Sequence, residues 1–195
     1  MPKFIVFEGL DGSGTSTQSA LLKKALGDSC FLDQEPSDGY IGKMLREILE
    51  QKKKVNPITL LQLFLADRVD HQNILKEKLS QGQNVIFTRY IVSTLAYQGI
   101  HFDTGDLYEF NKNFKVPDYT FFLEVDPKTS LKRKDGGKDL FENFETLNKV
   151  TENYKKAIDL LKTKGWKIFI LNGLNTPEAV HSQIKEILKK EGLLC

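Results

Sequence analysis

Residues near the start of the chain have the types and spacing of a loop that binds phosphate. The pattern G-x-x-x-x-G-K-[ST] fits at Gly9, Gly14 and Ser16, with Thr15 in the position of the lysine. Backbone N–H groups of such a loop point at an anion, and the dipole of the following helix adds positive charge. We expect the loop to hold the phosphates of a nucleoside triphosphate, and the Ser16 hydroxyl to ligate magnesium. The predicted contact residues are Gly9, Leu10, Asp11, Gly12, Ser13, Gly14, Thr15, Ser16 and Thr17.

The threonine at position 15 changes the charge of this loop. The usual lysine neutralises charge that develops on the β- and γ-phosphates, and loss of one comparable donor costs about 3–4 kcal/mol, or roughly 10²–10³ in rate. Arg89 and the cations of the segment Lys132–Lys138 are the candidate replacements. That segment contains a Gly-Gly hinge, so it fits either a mobile basic flap over phosphates or a plain solvated loop.

Two side chains further along the chain are suited to recognise a base. Phe64 and Arg68 are four residues apart in a helical stretch, so they share a face. One offers an aromatic plane and the other offers donors for a base edge, although a core phenylalanine and a surface arginine fit the same spacing. Arg89 directly follows a strand, where a guanidinium is well placed to bind phosphate. We expect His71 and His101 to have no carboxylate or serine partner arranged for acid-base or nucleophilic chemistry. We expect Glu8 to be structural or to hold water or metal.

The composition is that of an ordinary globular chain. Of 195 residues, 28 are basic and 26 acidic, and this balance gives no reason to expect a nucleic-acid partner or a membrane surface. No apolar run approaches the ~18 residues of a membrane span. Cys30 and Cys195 lack metal-ligand spacing and fit free thiols in a reducing compartment. We expect a cytoplasmic protein whose residues 1–195 form a single domain, with a lid at about 132–142.

Apolar runs alternate with helical patterns along the chain. The candidate strands are near-continuously apolar, as buried parallel strands are, and lie at Phe4–Phe7, Cys30–Leu32, Asn84–Thr88, Tyr119–Val125 and Trp166–Leu171. Amphipathic helices are predicted over 143–164 and after Thr176. This alternation predicts an α/β fold with three layers and a doubly wound, mostly five-stranded parallel sheet. Ligands of such folds bind beyond the carboxyl ends of the strands, so the chemistry is expected there.

Together these segments resemble the thymidylate kinase family of P-loop nucleoside monophosphate kinases. The shared motifs span nearly the whole chain and are FEGLDGSG, EP-x-x-G-x-IG from Glu35 to Gly42, LFLADR, RY-x-x-S-x-x-AYQG, and a distal KDLFE followed by Tyr154. The resemblance implies transfer of the γ-phosphoryl group of ATP to dTMP, giving dTDP, with Mg²⁺ as cofactor. It also implies a homodimer in which the helices around 57–80 and 92–98 pack across a two-fold axis.

The resemblance further implies roles for individual residues. Arg89, Arg133 and Lys138 would be catalytic, and Arg133 with the segment to Glu142 would form the lid over ATP. Phe64 would stack on thymine, Arg68 would contact its edge, and Arg89 would bind the acceptor phosphate. The residues implied to bind dTMP are Asp11 (at the sugar 3′-hydroxyl), Phe64, Arg68, Arg89, Ser93, Tyr97 and Gln98.

The chain departs from the family pattern at three charged positions. The loop lysine is Thr15, the aspartate usual before Arg-Tyr is Thr88, and the family's Thr-Arg-Glu-Pro element reads Asp-Gln-Glu-Pro, with Gln34 in place of arginine. Two alternatives therefore stay open: a thymidylate-binding relative with impaired catalysis, and a kinase for another nucleoside monophosphate. The base-recognition residues are all present, which favours thymidylate.

Overall fold

The chain folds around a parallel β-sheet. The computed structural model describes residues 1–133 and 143–194. Its strands are β1 (Phe4–Gly9), β2 (Cys30–Gln34), β3 (Asn84–Thr88), β4 (Tyr119–Glu124) and β5 (Ile168–Asn172). They are paired in parallel in the order β2-β3-β1-β4-β5. The predicted doubly wound α/β fold is confirmed.

Helices connect the strands and cover both faces of the sheet. They are α1 (Thr15–Leu26), α2 (Tyr40–Leu49), α3 (Pro57–Ser80), α4 (Ile91–Gln98), α5 (Thr104–Asn111), α6 (Pro127–Arg133), α7 (Phe144–Thr163) and α8 (Pro177–Lys190). Polar side chains cap several of them. The Asn56 and Asn143 Oδ1 atoms accept backbone N–H bonds from Thr59 and Thr146 at 2.8 and 2.7 Å, which stabilises the first turns of α3 and α7.

Strand β1 lies at the centre of the sheet and is buried along its whole length. Phe4 and Val6 point into a core that also contains residues of α3, α4 and α7. Ile5 and Phe7 point the other way, into a core shared with α1 and α8. Because both faces are covered, the strand has a continuous apolar sequence instead of an alternating one. The arrangement gives the three predicted layers.

Most predicted elements agree with the structure, and the differences have local causes. The strand predicted to begin at Trp166 begins at Ile168. The Trp166 N–H donates to the Leu161 carbonyl at 3.1 Å, so this residue closes α7 and packs in the core. Helices α2 and α5 were absent from the sequence interpretation. Both are short, and apolar residues alone do not distinguish short helices from loops.

The carboxyl ends of the strands bring distant segments together. Arg89 follows β3, and its N–H donates to the Phe7 carbonyl of β1 at 2.8 Å. Gly173 follows β5, and its N–H donates to the Glu124 carbonyl of β4 at 2.9 Å. The β1–α1 loop therefore lies among segments that follow β2, β3, β4 and β5. Within the described residues, no helix is long and apolar enough to cross a membrane.

Candidate active site

The loop between β1 and α1 contains three glycines with positive φ angles. Gly9, Gly12 and Gly14 have φ angles of 155°, 70° and 99°. Gly9 is required on steric grounds too, because a Cβ there would lie 2.6 Å from Ser13 Oγ and 2.7 Å from the Leu123 carbonyl oxygen. Gly14 is the N-cap of α1, so the positive end of the helix dipole faces the loop. Loops with glycines of this kind before a helix are a common place for successive backbone N–H groups to bind an anion.

An open cavity lies beside this loop, and we call it the phosphate-side cavity. Its lining residues are Asp11, Gly12, Thr15, Ser16, Gln34, Glu35, Pro36, Arg46, Thr88 and Arg89. Thr15, Gln34 and Thr88, where the chain departs from the family pattern, thus face one space. Uncharged side chains therefore surround the cavity at positions where the pattern has charged ones. Among its described lining residues, the cations are Arg46 and Arg89.

Arg46 is a site residue that the sequence interpretation missed. Its Nη1 donates to the Pro36 carbonyl at 2.8 Å, and its Nη2 pairs with Asp38 at 2.8 Å. The Asp38 side chain is 81% exposed, so solvent weakens this pair. Arg46 is therefore a cation available to an anion in the phosphate-side cavity. Its signal in the sequence is spacing, since it lies one helical turn after Gly42 of the EP-x-x-G-x-IG motif.

A second pocket adjoins this cavity, and we call it the base-side pocket. It contains about 590 Å³ of empty space, part of which is open to solvent. Every residue predicted to bind dTMP lines it, although these residues come from the β1–α1 loop, α3, the end of β3 and α4. The lining residues are Asp11, Glu35, Pro36, Leu49, Phe64, Arg68, Arg89, Tyr90, Ser93, Thr94, Tyr97 and Gln98. The pocket and the cavity share Asp11, Glu35, Pro36 and Arg89, so the two spaces are continuous.

Arg68 is a buried member of the base-side pocket, and not the surface arginine that its helix position also allowed. Its side chain is 1% exposed. Nε and Nη2 donate to one carboxylate oxygen of Glu35 at 2.9 and 2.7 Å. Nη2 also donates to Thr94 at 2.9 Å, and Nη1 donates to Asn111. The ring of Tyr90 packs against the guanidinium, 4.9 Å from its central carbon. Arg68 is therefore held in one orientation.

Arg89 lies where the pocket meets the cavity. Its backbone has φ of 67°, which is uncommon for a residue with a side chain. Its Nη2 forms an ion pair with Asp11, and its Nη1 donates to Ser93 at 3.0 Å and Tyr154 at 3.3 Å. The Tyr97 ring lies 5.3 Å from the guanidinium carbon. The strained backbone thus directs a well-held cation between the two sites.

Glu8 is buried behind this arginine. Its side chain is fully shielded from solvent, and one oxygen accepts a hydrogen bond from Ser93. The other oxygen, Oε1, has no hydrogen-bond partner among residues 1–133 and 143–194. Burial raises the pKa of Glu8 to about 7, although Ser93 and Arg89 oppose this shift. Glu8 therefore titrates near neutral pH in contact with a pocket residue.

His71 contradicts its prediction, because it has two carboxylate partners. Its Nε2 lies 3.1 Å from Asp33 Oδ2, and its Nδ1 lies 3.5 Å from Glu35 Oε1. Burial lowers the pKa of His71, but the two carboxylates outweigh this effect and raise it to about 9. The partners are more than 30 residues away in sequence and meet His71 only because α3 packs beside β2 and β3.

Arg133, at the end of α6, contacts the phosphate loop. Its Nη1 donates to the Gly173 carbonyl at 2.8 Å and to the Gly12 carbonyl at 3.3 Å. The side chain thus joins the β1–α1 loop to the segment after β5. Lys138 and the rest of the predicted lid, residues 134–142, lie outside the described residues.

Comparisons with known proteins agree with this geometry. A family model described as thymidylate kinase matches residues 7–184. The chain belongs to the thymidylate kinase family. It is 40% identical over 187 residues to the "Probable thymidylate kinase" of Methanocaldococcus jannaschii, covering 95% of each chain. It is 36% identical over 204 residues to the "Thymidylate kinase" of a Nostoc species, again covering 95% of each chain.

Solved thymidylate kinase structures have the same fold. The Candida albicans enzyme superposes with a TM-score of 0.87 at 27% identity, covering 98% of this chain and 93% of that one. The Ehrlichia chaffeensis enzyme superposes with a TM-score of 0.76 at 27% identity, covering 96% of this chain and 98% of that one. The family carries out ATP-dependent phosphoryl transfer, which generally needs a divalent metal.

The described residues fit a metal ion that arrives with the nucleotide. No group of three or more His, Cys, Asp or Glu side chains suited to a metal occurs within 1–133 and 143–194. Ser16 is exposed at the start of α1 and lines the phosphate-side cavity. Thr88 Oγ1 donates to Ser19 at 3.1 Å, and Asp11 is paired with Arg89. Magnesium commonly takes most of its ligands from water and substrate phosphates, so one protein hydroxyl is compatible with it.

Proposed function

We propose that the chain transfers the γ-phosphoryl group of ATP to dTMP, giving dTDP and ADP. The observation that carries this proposal is the continuity of the two sites. A pocket lined by an aromatic ring and a fixed arginine opens into a cavity beside an anion-binding loop, with Arg89 at the junction. Phosphoryl transfer depends mostly on holding donor and acceptor in line and on neutralising charge, and this arrangement supplies both.

The donor side consists of the loop and the cations around it. We assign the phosphates of ATP to the backbone N–H groups of residues 9–17 and the magnesium ligand to the Ser16 hydroxyl. When bound, Mg²⁺ would neutralise charge between the β- and γ-phosphates. Arg46 and Arg89 line the same cavity and would supply part of the charge that Thr15 lacks. Arg133 and Lys138 would act from the segment that covers ATP.

The acceptor side recognises thymine by stacking and by hydrogen bonds. Phe64 would stack on the base, and Arg68 would donate to its edge. Gln98 is 1% exposed, and neither end of its carboxamide has a partner among the described residues. A buried amide without partners is costly, so a base that pairs with both of its ends would be strongly favoured. Ser93 and Tyr97 would complete the lining around base and sugar.

The sugar and phosphate of dTMP would lie at the junction. Asp11 and Arg89 are paired there, and both line the pocket and the cavity. We assign the sugar 3′-hydroxyl to Asp11 and the acceptor phosphate to Arg89. The fork of the guanidinium suits a phosphate, and its hydrogen bonds to Ser93 and Tyr154 would keep it directed at the incoming phosphoryl group.

The proposal extends to the organisation of the chain. Residues 1–195 would form one kinase domain with a lid at about 132–142, acting in the cytoplasm. A homodimer would form through α3, where Ile58, Val69 and Ile74 are exposed apolar side chains. Helix α4 is largely buried within the chain, so it offers less surface for such a contact than the sequence suggested. Sedimentation velocity of the wild type and of Val69→Glu would test the dimer.

Steady-state kinetics with a panel of acceptors tests the proposed reaction. Purified protein with ATP and Mg²⁺ is given dTMP, dUMP, dCMP or dGMP, and formation of the diphosphate is measured. We expect dTMP to have the highest kcat/KM. An unselective profile would refute the assignment of Phe64 and Arg68, and absence of dTDP above the uncatalysed background would refute the reaction.

A further inference from the structure

Four ionisable side chains form a cluster behind the base-side pocket, and three of them are buried while Asp33 is partly exposed. Asp33 lies on β2, Glu35 directly follows β2, and Arg68 and His71 lie one turn apart on α3. Arg68 pairs with Glu35 Oε2 at 2.7 Å, while His71 reaches Glu35 Oε1 at 3.5 Å and Asp33 at 3.1 Å. Both carboxylate oxygens of Glu35 are therefore in contact, Oε2 with Arg68 and Oε1 with His71.

The surroundings of His71 hold its ring in place. The His71 side chain is fully buried, and its ring stacks on Phe87 of β3 with centroids 4.0 Å apart and planes 2° from parallel. A protonated imidazole has two N–H donors, which matches one carboxylate at each nitrogen. Two carboxylates then balance two cations, so the cluster carries no net charge.

The donors of Arg68 show what the cluster achieves. A guanidinium has five N–H groups. The described contacts use the Nε group, both groups of Nη2 and one group of Nη1. One Nη1 donor is left for a ligand in the base-side pocket. With so few donors available, recognition depends on the angle at which the guanidinium is held. Glu35 accepts two of the four donated hydrogen bonds and so helps to set that angle.

We infer that His71 is a positioning residue, which fixes Glu35 and, through Glu35, directs Arg68 at the edge of the base. Asp33 helps to hold His71 in place, because it contacts the Nε2 atom, on the other side of the ring from Glu35. Asp33 occupies the position of the threonine in the family's Thr-Arg-Glu-Pro element, so that element does not itself supply the second carboxylate. The inference rests on the proposed function, because it assigns Arg68 to the base of dTMP.

The inference predicts a dependence on pH with a definite sign. The charged groups that contact His71 are Asp33 and Glu35, from the β2 side. Arg68, from the same helix as His71, pairs with Glu35, and Arg46 of α2 acts on Asp33. The imidazolium persists through neutral pH and is lost as pH rises through about 9. The neutral ring keeps one N–H, and the shorter contact, 3.1 Å from Nε2 to Asp33 against 3.5 Å from Nδ1 to Glu35, favours keeping it on Nε2. Glu35 then loses the N–H that Nδ1 donates. The KM for dTMP should therefore rise between pH 8 and 10, while the KM for ATP stays level.

Kinetics of the full-length protein, paired with NMR of its imidazole groups, tests the inference. We expect His71→Gln to raise the KM for dTMP about tenfold, within the range for coupled members of one network, and to flatten its rise with pH. The kcat and the KM for ATP should change less than twofold. His101→Gln, an exposed histidine, is the matched control. Asp33→Asn serves as a second variant, and it should lower the pKa of His71 without removing its ring.

The outcomes separate the inference from the proposed function. An unchanged KM for dTMP in both His71→Gln and Asp33→Asn would overturn the inference, as would equal changes in the KM for dTMP, the KM for ATP and kcat. A His71 pKa near 6.5 in the substrate-free wild type would overturn it whatever the kinetics show. A wild type whose His71 titrates near 9 but which binds no dTMP in calorimetry would overturn the proposed function, and with it the role of Arg68.

Discussion

The base-side pocket and the phosphate-side cavity share Arg89 but differ in how their charges are arranged. Behind the pocket, Arg68 and His71 are matched by two carboxylates within a few ångströms. Around the cavity, Thr15 and Thr88 present hydroxyl groups where the family pattern has charged side chains. Among the described lining residues, the cation other than Arg89 is Arg46, which pairs with an exposed aspartate.

This difference indicates two separate strategies for charge. On the base side, the charges are fixed before the substrate arrives, so selection of the base needs little rearrangement. On the phosphate side, the proposed mechanism draws charge from backbone dipoles, from the metal that would accompany ATP and from arginines of neighbouring elements. Recognition is therefore expected to be robust in this chain, and the rate of transfer to be its adjustable property.

Arg89→Ala should have the largest effect, because Arg89 belongs to both regions. We expect kcat/KM for dTMP to fall about 10³-fold, as for loss of a main charge-stabilising donor. Arg89→Lys keeps the charge but lacks the forked donors of the guanidinium, so its decrease in kcat/KM for dTMP should be intermediate. Circular dichroism and thermal melting of both variants separate catalysis from folding. If the activity of the alanine variant is within tenfold of the wild type, the assignment of Arg89 to the acceptor phosphate is refuted.

Thr15→Lys sharpens the comparison by restoring charge to the cavity alone. If the phosphate side is limited by charge, kcat should rise by about 10² while the KM for dTMP stays near its wild-type value. Thr15→Met, which adds length without charge, is the control in the same steady-state assay. A kcat that does not rise would mean that arginines already supply the charge which the loop lacks.

Glu8→Gln tests the raised pKa of the Glu8 carboxyl, which lies behind Arg89, through the pH dependence of folding stability. The folded pKa of about 7 lies above the unfolded value near 4.5, so the folded state binds the extra proton. The contribution of Glu8 to stability is fully present below about pH 4.5 and is lost as pH rises through 7. In denaturant titrations, the free energy of unfolding of Glu8→Gln should increase relative to that of the wild type by on the order of 3 kcal/mol between pH 4.5 and pH 8. Exposed Glu145→Gln is the control, and an equal pH slope in wild type and Glu8→Gln would refute the shift.

Phe64→Ala should have the smallest effect on activity. The effect should be limited to binding of dTMP at the base-side pocket. Loss of stacking costs about 1–2 kcal/mol, so the KM for dTMP should rise roughly tenfold with kcat little changed. Phe110→Ala, on the exposed side of α5, is the matched control. Equal losses for dTMP and for ATP binding, measured by calorimetry, would show that Phe64 supports the fold and not the base.

The sequence was sufficient for features that depend on local pattern. The β1–α1 loop, the strand cores and the helix after Asn143 follow from glycine spacing, apolar runs and capping residues, and the structure agrees. Contacts between segments distant in sequence were harder to foresee. The partners of His71 come from β2, and Arg46 reaches the cavity from a short helix that apolar periodicity did not indicate. Motifs identify the members of a site, but packing decides which charges neutralise one another.

Single-turnover phosphorylation with enzyme in excess over dTMP tests most directly whether the sparse charge of the phosphate side still supports transfer. Protein is mixed with limiting labelled dTMP and saturating ATP and Mg²⁺, and the fraction converted to dTDP is followed with time. We expect complete conversion that depends on ATP, with a rate that Thr15→Lys increases. Calorimetric binding of dTMP together with no conversion to dTDP would show that the chain recognises thymidylate without phosphorylating it.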